Sequence, residues 1–158
     1  MPESWLWFFE WCEATAPGRL VRESAWLFPV IESVHLLGLC VLGGSLLLVD
    51  LRMLGSGLRH QPVASLAREA KPWLLGSIAV MIVTGTSLFL SEAVKCFYSP
   101  PFWTKMTTLP VALLFTLTIR QRVALANADA TTATRLVAVV SLILWFVVAA
   151  AGRWIGFS

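Results

Sequence analysis

Charge is what this sequence has least of. Charged residues make up 13% of its 158 positions and apolar residues 58%, against about 25% and about 45–50% in a soluble domain. The mean hydropathy is +0.78. So large a shift argues against a water-facing globular domain and makes the bilayer the expected solvent. The net charge is only +3, and the basic residues are scattered over loop ends, which suits topology and lipid headgroups rather than a nucleic-acid groove. There is no Cys-x-x-Cys and no His-rich tract, so a structural zinc site is not expected. Nucleophile elbow, phosphate loop and Ser–His–Asp spacing are missing as well, so the chain is not expected to be an enzyme of the soluble type. The first ten residues hold Glu3 and Glu10 but no Lys or Arg. They lack the basic start of a signal peptide, and the first span is expected to be retained.

What is present is apolar length. Four stretches, from about Trp26 to Val49, Trp73 to Val94, Phe102 to Ile119 and Leu136 to Trp154, approach or exceed the roughly 20 residues of a spanning helix. The third is the shortest and contains Pro110, which neighbouring helices can accommodate. The expected fold is all-α: one integral membrane domain over 1–158, with four transmembrane helices in a bundle. Ahead of them, Trp5, Phe8, Phe9 and Cys12 recur at helical spacing. Trp5, Trp7 and Trp11 suit the membrane–water interface. An amphipathic interfacial helix is therefore expected over 3–16, ended by Ala16-Pro17-Gly18; a short buried fifth helix is the alternative. With four spans, Arg52, Arg59, Arg68, Lys71, Arg120, Arg122 and Arg135 fall on one side, and Arg19, Arg22, Lys95, Lys105 and Arg153 on the other. The positive-inside rule then puts both termini on the periplasmic side of a bacterial inner membrane.

Glu32 and His35 are three residues apart within the first span, so they share a helix face. His35 lies about 13 Å from the start of that helix at 1.5 Å per residue. Ionisable residues at such depth are candidate functional sites. Pro29, one turn earlier, is expected to open or kink the helix. The pair reads as a proton or metal site facing the periplasm, with Lys105 and Arg153 as candidates to balance Glu32. The competing reading is a hydrogen-bonded tether to a neighbouring helix, for example to Arg153 or Thr84. Two ligands are fewer than the three or four a metal usually takes. Haem b with His35 as axial ligand would need a second ligand from elsewhere, such as His35 of a second copy. His60 would lie roughly 37 Å away if the chain were helical throughout, and reads as an ordinary loop residue. Asp50 is expected to pair with Arg52 or Arg59, and Arg52 to snorkel at the surface. Cys40 reads as a small hydrophobe, while Cys12 and Cys96 fall on the same side, where a disulfide is an option. The glycines Gly38, Gly43, Gly44, Gly76 and Gly85 and the run 149–152 read as helix-packing positions.

Two segments carry a resemblance. Trp26-Leu-Phe-Pro-Val-Ile-Glu-Ser-Val-His-Leu-Leu-Gly and Val49-Asp-Leu-Arg-Met-Leu-Gly, with the later Thr84-Gly85 and Phe102-Trp-Thr-Lys105, resemble an uncharacterised family of small bacterial four-span membrane proteins. The likeness covers most of the chain and implies the fold but no activity. More loosely, Gly85 and Lys105 are similar to positions of the copper-resistance D family of membrane proteins, although the Met- and His-rich clusters of copper binding are missing. The best reading is a non-enzymatic binding or transport-accessory module at Glu32–His35. The alternatives are a structural subunit of a membrane complex or a haem b electron carrier. The lipid bilayer is the expected partner; a membrane or periplasmic protein and a second copy are further candidates, and nucleic acid is not.

Overall fold

Peptide groups in hydrocarbon have no water to bond, so an apolar stretch satisfies them by forming a helix. The computed structural model, which describes residues 3–58, 60–126 and 129–157, has helices over all four apolar stretches. After a 3-10 turn (Glu3–Trp5) come α1 (Leu6–Glu13), α2 (Ala16–Glu23), α3 (Leu27–Leu54), α4 (Val63–Ser91), α5 (Ala93–Tyr98) and α6 (Pro100–Phe115). A π-helical segment (Thr116–Arg120) then leads into α7 (Gln121–Ala126), and α8 (Thr132–Ile155) ends the order. Among the described residues there is no strand. Four helices are long and apolar enough to cross a membrane: α3, α4, the continuous run Pro100–Ala126, and α8. Only 22–28% of the most apolar window of each is buried within the bundle. The remainder presents apolar side chains outward, an arrangement that lipid solvates and water does not.

The helices run longer than the apolar stretches that announce them. α4 begins at Val63, directly after Pro62, well ahead of the apolar stretch that starts at Trp73, and takes in Arg68, Glu69 and Lys71. Pro29 lies in the first turn of α3 and neither opens nor kinks it; a proline there sacrifices no intrahelical donor. Its carbonyl accepts a hydrogen bond from Ser33 Oγ at 2.7 Å. Ala16-Pro17-Gly18 begins a helix instead of only ending one: Thr15 caps α2 by accepting from Gly18 N, with Pro17 in the first turn, where proline is favoured.

At the end of the bundle near both termini, Phe9, Cys12, Ala93, Cys96, Phe97 and Phe102 form one buried cluster, with Phe89, Trp103 and Ile155 packed against it. The Phe89 and Phe102 rings stack at 5.5 Å, and Trp103 Nε1 donates to Phe97 O at 2.9 Å. Glu13 ties this end together by pairing with Arg22 and accepting from Val94 N at 2.9 Å. Trp5, Trp7 and Trp11 are exposed, so one face of α1 packs on the bundle while its tryptophans point away. Cys12 and Cys96 share the cluster as free thiols. Burial raises the pKa of both, that of Cys96 to about 11. Cys40, mid-span, is exposed on the bundle surface.

The opposite half is held by a buried ion pair. Arg120 Nε donates to Asp50 Oδ1 at 2.6 Å, Ser141 Oγ donates to Asp50 Oδ2 at 2.7 Å, and Arg120 Nη2 donates to Leu46 O at 3.0 Å. Asp50 is 0% and Arg120 1% exposed. The expected partners of Asp50 are thus corrected. Arg52 is itself buried and donates to Gln61 O, while Arg59 lies outside the described residues. Arg120 is no loop cation either: the π segment carries Thr116 and Arg120 inward together, and both are fully buried.

Two outcomes follow from this packing. Removing one partner of a buried pair strands the other charge at a cost of about 3–5 kcal/mol. Arg120→Leu should therefore lose about that much in an SDS-unfolding titration, and Asp50→Leu with Arg120→Leu should recover most of it. A single variant as stable as the wild type would mean that the pair holds nothing together. Cys12 and Cys96 should resist a maleimide at pH 8 in the folded protein and react once it is unfolded; rapid labelling when folded would contradict the packing of α1.

Candidate functional site

His35 is one of two histidines in the chain, and the bundle places it between helices. Its Nδ1 lies 2.7 Å from Thr84 Oγ1 on α4. Thr84 Oγ1 in turn sits 2.6 Å from Val80 O. A hydroxyl has one proton to give. If that proton went to His35, two oxygens would face each other at 2.6 Å with nothing between them. The arrangement that satisfies both contacts has Thr84 donating to Val80 O and accepting from His35 Nδ1–H. Nδ1 is then protonated, and Nε2 of the neutral ring keeps a lone pair.

The ring lines a partly open cavity of about 170 Å³ between α3, α4, α6 and α8. Its polar side chains cluster toward the end of the bundle near the termini: His35 from α3, Lys105 from α6 and Arg153 from α8. Below them the wall is apolar, closing on Leu42, Leu113 and Trp145. His35 to Leu42 spans about 10 Å along α3, and Lys105 to Leu113 about 12 Å along α6, at 1.5 Å per residue. The site is a cationic mouth over a short apolar shaft. Arg153 is exposed at the rim, with its guanidinium carbon 4.6 Å from the centre of the Phe157 ring. Among the described residues neither Lys105 nor Arg153 has a carboxylate partner.

Two glycines make room for this arrangement. A Cβ on Gly85 would come within 3.2 Å of His35 Cε1, and one on Gly152 within 3.4 Å of Lys105 Nζ. Gly43, Gly44 and Gly76, by contrast, have open space beside them. The small residues that read alike in the sequence therefore divide. Gly85 and Gly152 seat the side chains of His35 and Lys105, Gly38 packs against Val80 and Met81 of α4, and the other three do not bring backbones together within this chain.

The sequence-predicted residues divide too. His35, Lys105 and Arg153 line one cavity; Glu32 is exposed and does not. Of the two tethers considered for His35, Thr84 is the one formed. His60 is exposed in the turn after α3. Thr116 and Trp145, which the sequence reading leaves aside, meet at the floor: Trp145 Nε1 donates to Thr116 Oγ1 at 2.9 Å. A tryptophan deep in a span, away from the interfacial belt, is a signal that it has a polar partner.

The tautomer is testable. Nitrogen-15 spectra of histidine-labelled protein in nanodiscs should show neutral His35 protonated on Nδ1, and Thr84→Val should abolish that bias. A wild-type proton resting on Nε2 would refute the assignment.

A family model described as a family of unknown function, DUF6644, matches residues 8–158. No curated protein and no solved structure gives a match. The matched segment takes in nearly all of α1 and every helix that forms the bundle and its cavity, in accord with the resemblance to an uncharacterised family. The chain belongs to the DUF6644 family, a family of unknown function.

Proposed function

We propose that this protein is a non-enzymatic binding module whose ligand is an anion with an apolar body, held between the spans by His35, Lys105 and Arg153. The observation that carries the reading is the imbalance of charge at the cavity. Arg153, Lys105 and an imidazole line it without a carboxylate. A charge removed from water is costly unless it is paired, so a ligand anion gains where a neutral or cationic one does not. The apolar shaft beneath supplies affinity by burial, and the three polar side chains at its mouth orient the guest.

A metal ion fits this lining poorly. A dication at His35 would share its cavity with an ammonium and a guanidinium, while Glu32, the expected second ligand, stands on the exposed surface. Among the described residues no three His, Cys, Asp or Glu side chains are grouped to hold a metal. Haem b fits no better, because about 170 Å³ falls short of the roughly 300–1,000 Å³ of usual cofactor clefts. In the bacterial inner-membrane orientation that the basic residues favour, the mouth opens toward the periplasm. A transport-accessory protein that captures a solute on that side would have this form.

Binding can be read by calorimetry on the protein in mild detergent, with benzoate as the anionic probe and benzamide as its neutral isostere. Benzoate should bind and benzamide should bind at least tenfold more weakly. Lys105→Met keeps the methylene stem beside Gly152 and removes the charge. It should weaken benzoate about tenfold or more, the scale of one charge-assisted hydrogen bond, with Arg153→Gln costing less at the exposed rim. Equal affinity for the two probes would end the anion reading.

A further inference from the structure

The mouth of the cavity offers an asymmetric set of partners. Lys105 and Arg153 can only donate. His35, with Nδ1–H committed to Thr84, presents a lone pair at Nε2 that can only accept. A guest that satisfies all three brings an anionic group and one proton. The smallest group with both is an undissociated carboxylic acid. The shaft sets the body: an apolar cavity of about 150 Å³ in another protein accommodates benzene, and this one measures about 170 Å³, so it has room for one ring or a short branched chain.

We infer that the cavity takes up a monocarboxylic acid with a ring-sized apolar body together with one proton, the proton resting on His35 Nε2 and the carboxylate lying between Lys105 and Arg153. The inference rests on the anion-binding reading above and adds the acid class and the proton. The step balances without an oxidant or reductant: the acid O–H breaks, an N–H forms at Nε2, and both electrons of the O–H bond stay on the carboxylate. When the guest arrives as its anion, the proton comes from the bulk.

The surroundings of His35 favour this coupling. α4 faces it with Thr84, Gly85, Met81 and Ile82, none of them charged. α6 contributes Lys105 and α8 contributes Arg153. On α3 itself Glu32 is exposed and outside the cavity lining. On α2, Arg22 is engaged by Glu13, and Arg19 and Glu23 are exposed and line no part of the cavity. The empty site therefore keeps the ring neutral beside two cations, and an arriving carboxylate reverses that balance and lets the ring accept a proton.

The test is calorimetry of benzoate binding at pH 7.5 in buffers of different ionisation enthalpy, which reads protons taken up per ligand bound. Wild type should take up close to one. His35→Gln, which keeps a polar side chain but cannot hold the proton, should take up none and bind about tenfold or more weakly. If His35→Gln does not fold, the wild-type stoichiometry decides alone. Benzoate binding that prefers the anion but takes up no proton would overturn this inference and leave the anion site standing. Benzoate and benzamide binding alike, or neither binding, would remove both.

Discussion

A charge in hydrocarbon must meet its counter-charge inside the protein, and in this bundle that requirement is met by Asp50 and Arg120. The two residues come from different spans, and Ser141 from a third supplies the second carboxylate oxygen with a donor. Three helices are thereby held in register at one depth. The π segment is part of the same solution. Widening one turn at Thr116–Arg120 brings both Thr116 and Arg120 to the interior, where Thr116 accepts from Trp145 and Arg120 reaches both Asp50 and the carbonyl of Leu46. Departures from α geometry of this kind carry a cost and are found most often at functional sites. Here the local cost is offset by hydrogen bonds that the apolar surroundings make valuable.

The same constraint, read fifteen residues back along α3 and about 22 Å away at 1.5 Å per residue, has a different outcome. His35 is partly satisfied by Thr84, but Lys105 is left without an acid. The deep site is closed: one base, one acid, no exposure. The site at the mouth is open: cations without anions around an apolar shaft. A bundle that pairs its charges so completely at one end does not leave them unpaired at the other through any general tolerance of buried charge. Accessibility explains the difference, since Arg153 is exposed at the rim while Asp50 is sealed. An unpaired cation is affordable only where water or a guest can reach it.

Length and periodicity make spans legible in a sequence, so the four long helices could be read directly. Helical spacing also grouped Trp5 with Phe8, Phe9 and Cys12, but of these four only Phe9 and Cys12 are buried against the bundle. Contacts between helices are another matter. Helical spacing places Glu32 beside His35 on α3, but the neighbour of His35 is Thr84, forty-nine positions on, and periodicity within one helix is silent about which residue faces it from another. Asp50 was invisible as a partner of Arg120 for a further reason. An inserted π turn changes the face on which every later residue lies, and no residue in Thr-Leu-Thr-Ile-Arg announces it. Pro17 and Pro29 illustrate a milder ambiguity: proline stops a helix from within and starts one from its first turn, and the cap geometry at Thr15 and the intact start of α3 are needed to tell which. Gly85 and Gly152 read as packing residues because a glycine does not reveal what it makes room for.

Trp145 gives the cavity its depth, and what holds Trp145 explains why that depth is definite. Its indole is fixed by Thr116, in the segment whose last residue is Arg120, so the floor is continuous with the buried Asp50–Arg120–Ser141 network. The walls above it are Leu, Ile, Val and Ala side chains with Met81, whose flexible thioether adjusts most readily. A guest of the proposed kind would therefore meet a more adjustable wall than floor. Lengthening it by one ring would require Trp145 to leave its acceptor, exposing a buried hydroxyl and an indole N–H at once, and unsatisfied buried donors and acceptors each cost about 1–3 kcal/mol. In the proposed site, selection by length at the floor and by charge at the mouth would then be independent, and both would descend from the need to leave no polar group alone in the membrane.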